Sequence, residues 1–281
     1  MNVCVLGRGK VGTALARALA HAGEDVSHLR GRPPWPALPN AQVYLLAVPE
    51  ASLTMVAAAL APRIPRGVSV LHCAGSRSHE ELSALRTRGA SVGVLHPLVS
   101  FADRRQPPPL AGATFVFQGD PPARRHAKRL ARALTAQLLE EGAVGPAYHA
   151  AAALVANAGV ALAWSGARIL GALGFSERHA NAALAGLMAS VAHNVRRVGL
   201  PKALTGPVAR GDTRTVRAHL DALRTLDPSF AASYASVLPL VVACAQEAGL
   251  PDRAARDLRK LATPGAGRRP SGARRGSQRK T

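Results

Sequence analysis

Asn2 to Gly12 read NVCVLGRGKVG, and this stretch decides the fold. Asn2–Leu6 is a short apolar run that predicts a buried strand. It meets Gly7 at once, and Lys10–Ala22, rich in Ala and Leu, predicts a helix. Between them Gly7, Gly9 and Gly12 fall in a GxGxxG spacing. A strand running through such a loop into a helix is the context in which the pattern has physical meaning. Gly7 allows the tight turn, Gly9 allows a pyrophosphate to approach the backbone, and Gly12 allows helix and strand to pack closely. The free N–H groups and dipole of the helix N-terminus favour phosphate. Arg8, Lys10 and Val11 complete the candidate cofactor loop.

The alternation continues outward. Strands are predicted at Asp25–Leu29, Val43–Val48, Val68–His72, Ser91–Leu95 and Ala113–Phe117. Helices are predicted at 52–63, 78–88 and 122–139, and the four-proline segment RGRPPWPALPN reads as a loop. Strands alternating with helices predict an α/β doubly wound, mostly parallel Rossmann sheet over residues 1–147. From Tyr148 the pattern changes. Helices at 147–172, 177–197, 213–225, 229–248 and 251–262 predict an all-α substrate and dimerisation domain over 148–262. Residues 263–281, rich in Gly, Pro, Ser and Arg, predict a disordered basic tail.

Charge first suggests a different class. The 281 residues carry 36 Lys+Arg against 16 Asp+Glu, a net of +20. Partitioned, the net is +8 over 1–147, +6 over 148–262 and +6 in the tail alone. No nucleic-acid recognition motif, aromatic platform or zinc spacing accompanies it, so nothing beyond non-specific tail contacts with nucleic acid is expected. Three cysteines, far apart, do not make a disulfide framework and suit a reducing compartment. The N-terminal run lacks a signal peptide's basic and long apolar regions. The longest apolar stretch, Ala150–Trp164, is broken by Asn157 and is short for a bilayer. A cytoplasmic protein without a membrane span is expected. No metal site is expected, because neither CxxC nor HxxxH spacing occurs.

Ligands of such sheets sit beyond the carboxyl ends of the strands. Ala47-Val48-Pro49, His72 and His96 fall there, with Ser100 just beyond. Ala47, Val48, Pro49 and His72 are candidate cofactor contacts. The end of the second strand carries Arg30 and Arg32 where NAD binders usually place an acid; guanidinium suits a ribose 2′-phosphate, so NADP(H) is expected over NAD. His149, Ala153 and Asn157 share one helix face at i, i+4, i+8. His149 and His96 are the candidate proton donors. Asn157 is placed to orient an acceptor, and Ser100, Thr205 and Arg210 are candidate contacts to a small anionic substrate. Asp212 reads as a helix N-cap.

Taken together, GRGKVG, AVPE, HCAGS, HPLVSF, YHAAAALVAN and ALTGPVARGD resemble a bacterial family of NADP-dependent oxidoreductases of the deazaflavin-dependent type. That family has a Rossmann-like domain and a helical C-terminal domain of unknown function. The helical half is similar to the C-terminal domain shared by 6-phosphogluconate dehydrogenase, ketopantoate reductase and pyrroline-5-carboxylate reductase. The resemblance covers about residues 1–260. It implies hydride transfer to or from a small carbonyl, imine or hydroxy-acid-like substrate, and a homodimer through the helical domain. Related β-hydroxyacid dehydrogenases carry a helical Lys with an Asn four residues later. Asn157 matches that Asn, but position 153 is Ala, which leaves a non-catalytic NADP-binding or scaffold protein as the alternative.

Overall fold

The computed structural model describes residues 1–263; residues 264–281, and with them nearly all of the expected tail, lie outside the described residues. The chain divides into two compact units, Met1–Ala158 and the residues from Gly159 on.

The first unit is built on a seven-stranded sheet: β1 (Asn2–Leu6), β2 (Asp25–Leu29), β3 (Val43–Leu46), β4 (Ser69–His72), β5 (Ser91–Pro97), β6 (Thr114–Gly119) and β7 (Gln137–Leu139). The order is β2-β1-β3-β4-β5-β6-β7. Every pairing is parallel except β5 with β6. Strand period two sorts the side chains. Leu6, Tyr44, Leu46, Val70 and Val92 face α2 (Leu53–Leu60) and α3 (Ser83–Arg86). Val3, Val5, Leu45, Leu71, Phe115 and Phe117 face α1 (Lys10–His21) and α4 (Pro121–Ala133). A sheet covered on both faces needs this nearly continuous apolar character. Order reverses at β1, so a crevice at the carboxyl ends of β1 and β3 is where such a sheet takes ligands.

Two sequence expectations need correction. Residues 122–139 are not one helix. Helix α4 ends at Ala133, Thr135 turns through φ 52°, and Gln137–Leu139 adds β7 beside β6. Three residues carry too little pattern to outweigh the helical run before them. The bilayer estimate counted only Ala150–Trp164, whereas α5 spans Pro146–Ala172. Two helices, Pro146–Ala172 and Pro228–Glu247, are long and apolar enough to cross a membrane by length and composition.

Helix α5 starts in the first unit and ends in the second. The second unit continues with α6 (Glu177–Val198), α7 (Thr213–Leu226), α8 (Pro228–Glu247) and α9 (Asp252–Ala262), with no strand among the described residues. Its core joins Val216 and Leu220 of α7, Leu238 and Val242 of α8, and Leu258 of α9. Asp212 caps α7 as expected, accepting from the Thr215 amide at 3.0 Å. The Arg168 guanidinium of α5 lies over the Trp164 and Phe230 rings, 5.2 and 5.3 Å from their centroids. In contrast α5 buries no residue fully, and α6 buries only Ala180.

Candidate functional site

The glycine loop is fixed by close packing. A Cβ on Gly7 would stand 2.1 Å from the Ala47 carbonyl oxygen, and φ there is +129°. One on Gly12 would stand 1.9 Å from the Gly7 carbonyl oxygen. Gly31 is equally constrained, 2.7 Å from a Val48 methyl. The loop is tied to its neighbours: the Gly7 amide donates to Leu29, the Ala47 amide to Leu6, and the His28 ring donates to the Gly7 carbonyl at 2.8 Å. His28 was not singled out in the sequence, where it reads as an ordinary strand residue.

Gly9 differs. It is the N-cap of α1 with φ −75°, a conformation open to any residue, and a Cβ there would meet nothing within 4 Å. Packing within the protein does not require this glycine, and the space over it is open. The first turn of α1 holds no acidic side chain, and no side chain caps it. Its positive end is therefore uncompensated. Arg8, Lys10, Arg30 and Arg32 are all exposed around this edge. Ala47, Val48 and Pro49 follow β3 beside it, so the residues present fit a dinucleotide.

His72 does not fit its expected role. Its side chain is fully buried. One ring nitrogen accepts from the Ala74 amide and the other bonds the Ser78 carbonyl. Burial pushes it down to about 4. His72 therefore sets the turn after β4 and has no ring nitrogen left for a cofactor.

The chemistry-bearing side chains gather beyond β5. A cleft of about 580 Å³ is lined by His96, Ser100, Tyr148, His149, Ala153 and Asn157, among others. The expected helix face is thus real, and it meets His96. That volume suits a small molecule. Tyr148 was quoted in the sequence without a role. Its hydroxyl shares a 2.7 Å hydrogen bond with His96 Nδ1, and its body packs on Val94, Val116 and Val144. The His96 and His149 rings stand edge to face, 5.9 Å between centroids. Gly75 makes room: a Cβ there would be 2.7 Å from His96 Nε2.

Burial and the neighbouring His149 push His96 down to about 4, and burial pushes Tyr148 up to about 12. Both are neutral near pH 7. His149 Nδ1 is buried and has no hydrogen-bond partner among the described residues. Glu50 accepts from the hydroxyl and the amide of Ser76. Burial alone would raise the Glu50 carboxyl, but Ser76, with His149 and Arg77 nearby, outweighs it and holds the group below its usual value. Thr205 and Arg210 are exposed residues of the second unit, in the turns before α7. No group of three potential metal ligands occurs among the described residues.

These features define a class: a Rossmann-like, mostly parallel sheet followed by a helical C-terminal region. Within it, residues 113–239 match the family described as DUF2520, a domain of unknown function. No curated protein matches the chain. Several solved structures share the fold. Protein TM1727 from Thermotoga maritima is 21% identical over 88% of this chain and 99% of its own, with a TM-score of 0.60. BF3122 from Bacteroides fragilis, provisionally named an NADP oxidoreductase, is 17% identical over 86% and 98%, with a TM-score of 0.66. Pyrroline carboxylate reductase from Plasmodium falciparum, solved with NADP bound, is 11% identical over 94% and 98%, with a TM-score of 0.54.

Proposed function

We propose that the chain is an NADP(H)-dependent oxidoreductase acting on a small carbonyl or imine compound, or on the corresponding alcohol or amine. One observation carries this reading. The first unit presents, at the carboxyl ends of parallel strands, both a glycine loop with open space over Gly9 and a cleft lined by His149, whose Nδ1 has no hydrogen-bond partner among the described residues. NADP-linked names among the fold's relatives support it.

A bound nicotinamide would supply or accept the hydride. The chain's own residues do the rest. The Gly7–Gly12 loop, Arg8 and Lys10 hold the pyrophosphate. Arg30 and Arg32 hold the 2′-phosphate, which selects NADP over NAD. Ala47, Val48 and Pro49 form the wall beyond β3. His149 Nδ1 donates the proton to the reduced heteroatom. His96 is a neutral partner, held in place by Tyr148, that keeps the His149 ring upright. Asn157, two turns along the same face, orients the acceptor in place of the Lys–Asn pair that Ala153 interrupts. Ser100 lines the cleft and contacts the substrate's anionic group.

NADPH oxidation across a panel of small carbonyl and imine compounds tests this. The H149A variant is expected to lose at least about a hundredfold in kcat, the usual worth of a positioned acid. Full activity in H149A would remove the assigned donor. NADPH binding without turnover on any compound would favour the scaffold reading that Ala153 permits. The same assay with a deazaflavin acceptor tests the deazaflavin-dependent type.

A second copy of this chain is the proposed partner. Large apolar side chains are left exposed on α5 and on α6, Val155 at 77% and Leu187 at 59% among them, and a second copy would cover them. Helix α6 bears Glu177, Arg178, Arg196 and Arg197 and is not one of the two helices apolar enough to cross a bilayer, which favours a protein partner for its exposed side chains. We place the protein in the cytoplasm.

A further inference from the structure

The connection between β5 and β6 is a long loop that reaches the glycine loop. Residues 98–113 cross over α1 as a strap. Its ends are anchored, because Val99, Phe101 and Leu110 pack into the core shared with Leu15 and Leu19 of α1. Pro107–Pro109 stiffen the return. Between the anchors the chain turns at Asp103, whose carboxylate accepts from the Arg105 amide at 2.8 Å. Arg17 of α1 pins the turn from below, its guanidinium donating to the carbonyls of Arg104 and Arg105 at 3.4 and 2.9 Å. The result brings the Arg104 guanidinium onto the glycine loop, 3.5 Å from the Arg8 carbonyl oxygen.

The charge around that point is one-sided. Arg8, Lys10, Arg17, Arg104 and Arg105 take part in no ion pair among the described residues. The nearest acid on the strap, Asp103, is spent on its own turn. Like charges gathered without a counter-charge repel one another, and a polyanion between them relieves this. The 3.5 Å contact is long for a hydrogen bond, so little holds Arg104 against turning toward a phosphate.

We propose that Arg104 is a phosphate-binding residue, laid by the strap over the glycine loop so that it clamps the pyrophosphate of a bound dinucleotide against the N-terminus of α1. The proposal rests on the dinucleotide reading above and adds a ligand to it from a segment 96 residues from Arg8 in sequence. Guanidinium is the right group because its fork bonds two phosphate oxygens together. Position separates its role from that of Arg30 and Arg32. Arg104 meets the loop that holds the pyrophosphate common to NADP and NAD, so it does not discriminate between them.

Calorimetric titration of the full chain with NADPH and with NADH tests the clamp, using wild type, R104A, R104Q and, as a distant control, R132A. The expected result is a loss of about tenfold or more in affinity for both nucleotides, by the same factor, in R104A and R104Q. R132A should bind as wild type, and thermal midpoints should be unchanged because Arg104 is exposed. Unchanged affinity in both Arg104 variants overturns the clamp alone. Loss for NADPH but not NADH moves Arg104 to the 2′-phosphate and overturns its placement. A wild-type chain that binds neither nucleotide overturns the cofactor reading, and the clamp with it.

Discussion

Gly7 and Gly9 stand two residues apart in one motif and do opposite work. Gly7 answers to the protein: its positive φ and the Ala47 carbonyl 2.1 Å from a Cβ make G7A a folding variant. Chemical denaturation should show a loss of more than about 2 kcal/mol. Nothing in the protein packs against Gly9, so G9A should keep wild-type stability. The motif and its division of labour were legible in the sequence; what stands opposite each Cα, the Ala47 carbonyl at Gly7 and open space at Gly9, was not. His72 teaches the same lesson. Its place at a strand end suggested a ligand contact, yet its ring is turned inward. A histidine held near 4 in the fold and near 6.5 when unfolded takes up its proton on unfolding, so stability rises with pH through that window. His72 and His96 shift the same way. The thermal midpoint should therefore fall as pH drops from about 6.5 toward 4, and H96N should make that fall shallower. Because His96 is neutral in the working range, H96N should move no limb of the pH–rate profile between about pH 5 and 9. A limb that moves would place the titrating acid at His96.

Among elements, those with a long, strong period were legible. Strands β1 and β2 and helices α5 to α9 fall within a residue or two of expectation. Short elements without a period of their own were not. Strand β7 exists because Leu138 finds Phe115 across the ladder and packs on the core, a partner remote in sequence. Helices α5 and α6 show the converse. Their helicity was plain, but a stripe of Ala, Gly, Leu and Val does not declare what covers it. A second copy of the chain is the proposed cover. Light scattering on the purified chain should give a dimer, and L187E with V191E should yield a folded monomer. A wild-type monomer at micromolar concentration would contradict the assignment, and a chain recovered only with detergent would contradict it in favour of a bilayer around α5.

At the scale of the molecule, the +20 charge resolves into local roles. Six units fall in residues 263–281, and a further set rims the glycine loop. Of the latter, Arg8 and Lys10 could be read from the motif, and Arg30 and Arg32 from the strand end. Arg17 and Arg104 could not, because only the strap between β5 and β6 brings them to the loop. The cleft was half legible in the same sense: helical spacing put His149 with Asn157, but β5 had to deliver His96, and Tyr148 had to hold it. The central claim is that this sheet binds a dinucleotide over Gly9. Calorimetric titration of NADPH into wild type and G9A tests it most directly. The account predicts saturable one-site binding by wild type and at least about a tenfold weaker affinity in an equally stable G9A. No binding by wild type, or the same affinity in G9A, would contradict it.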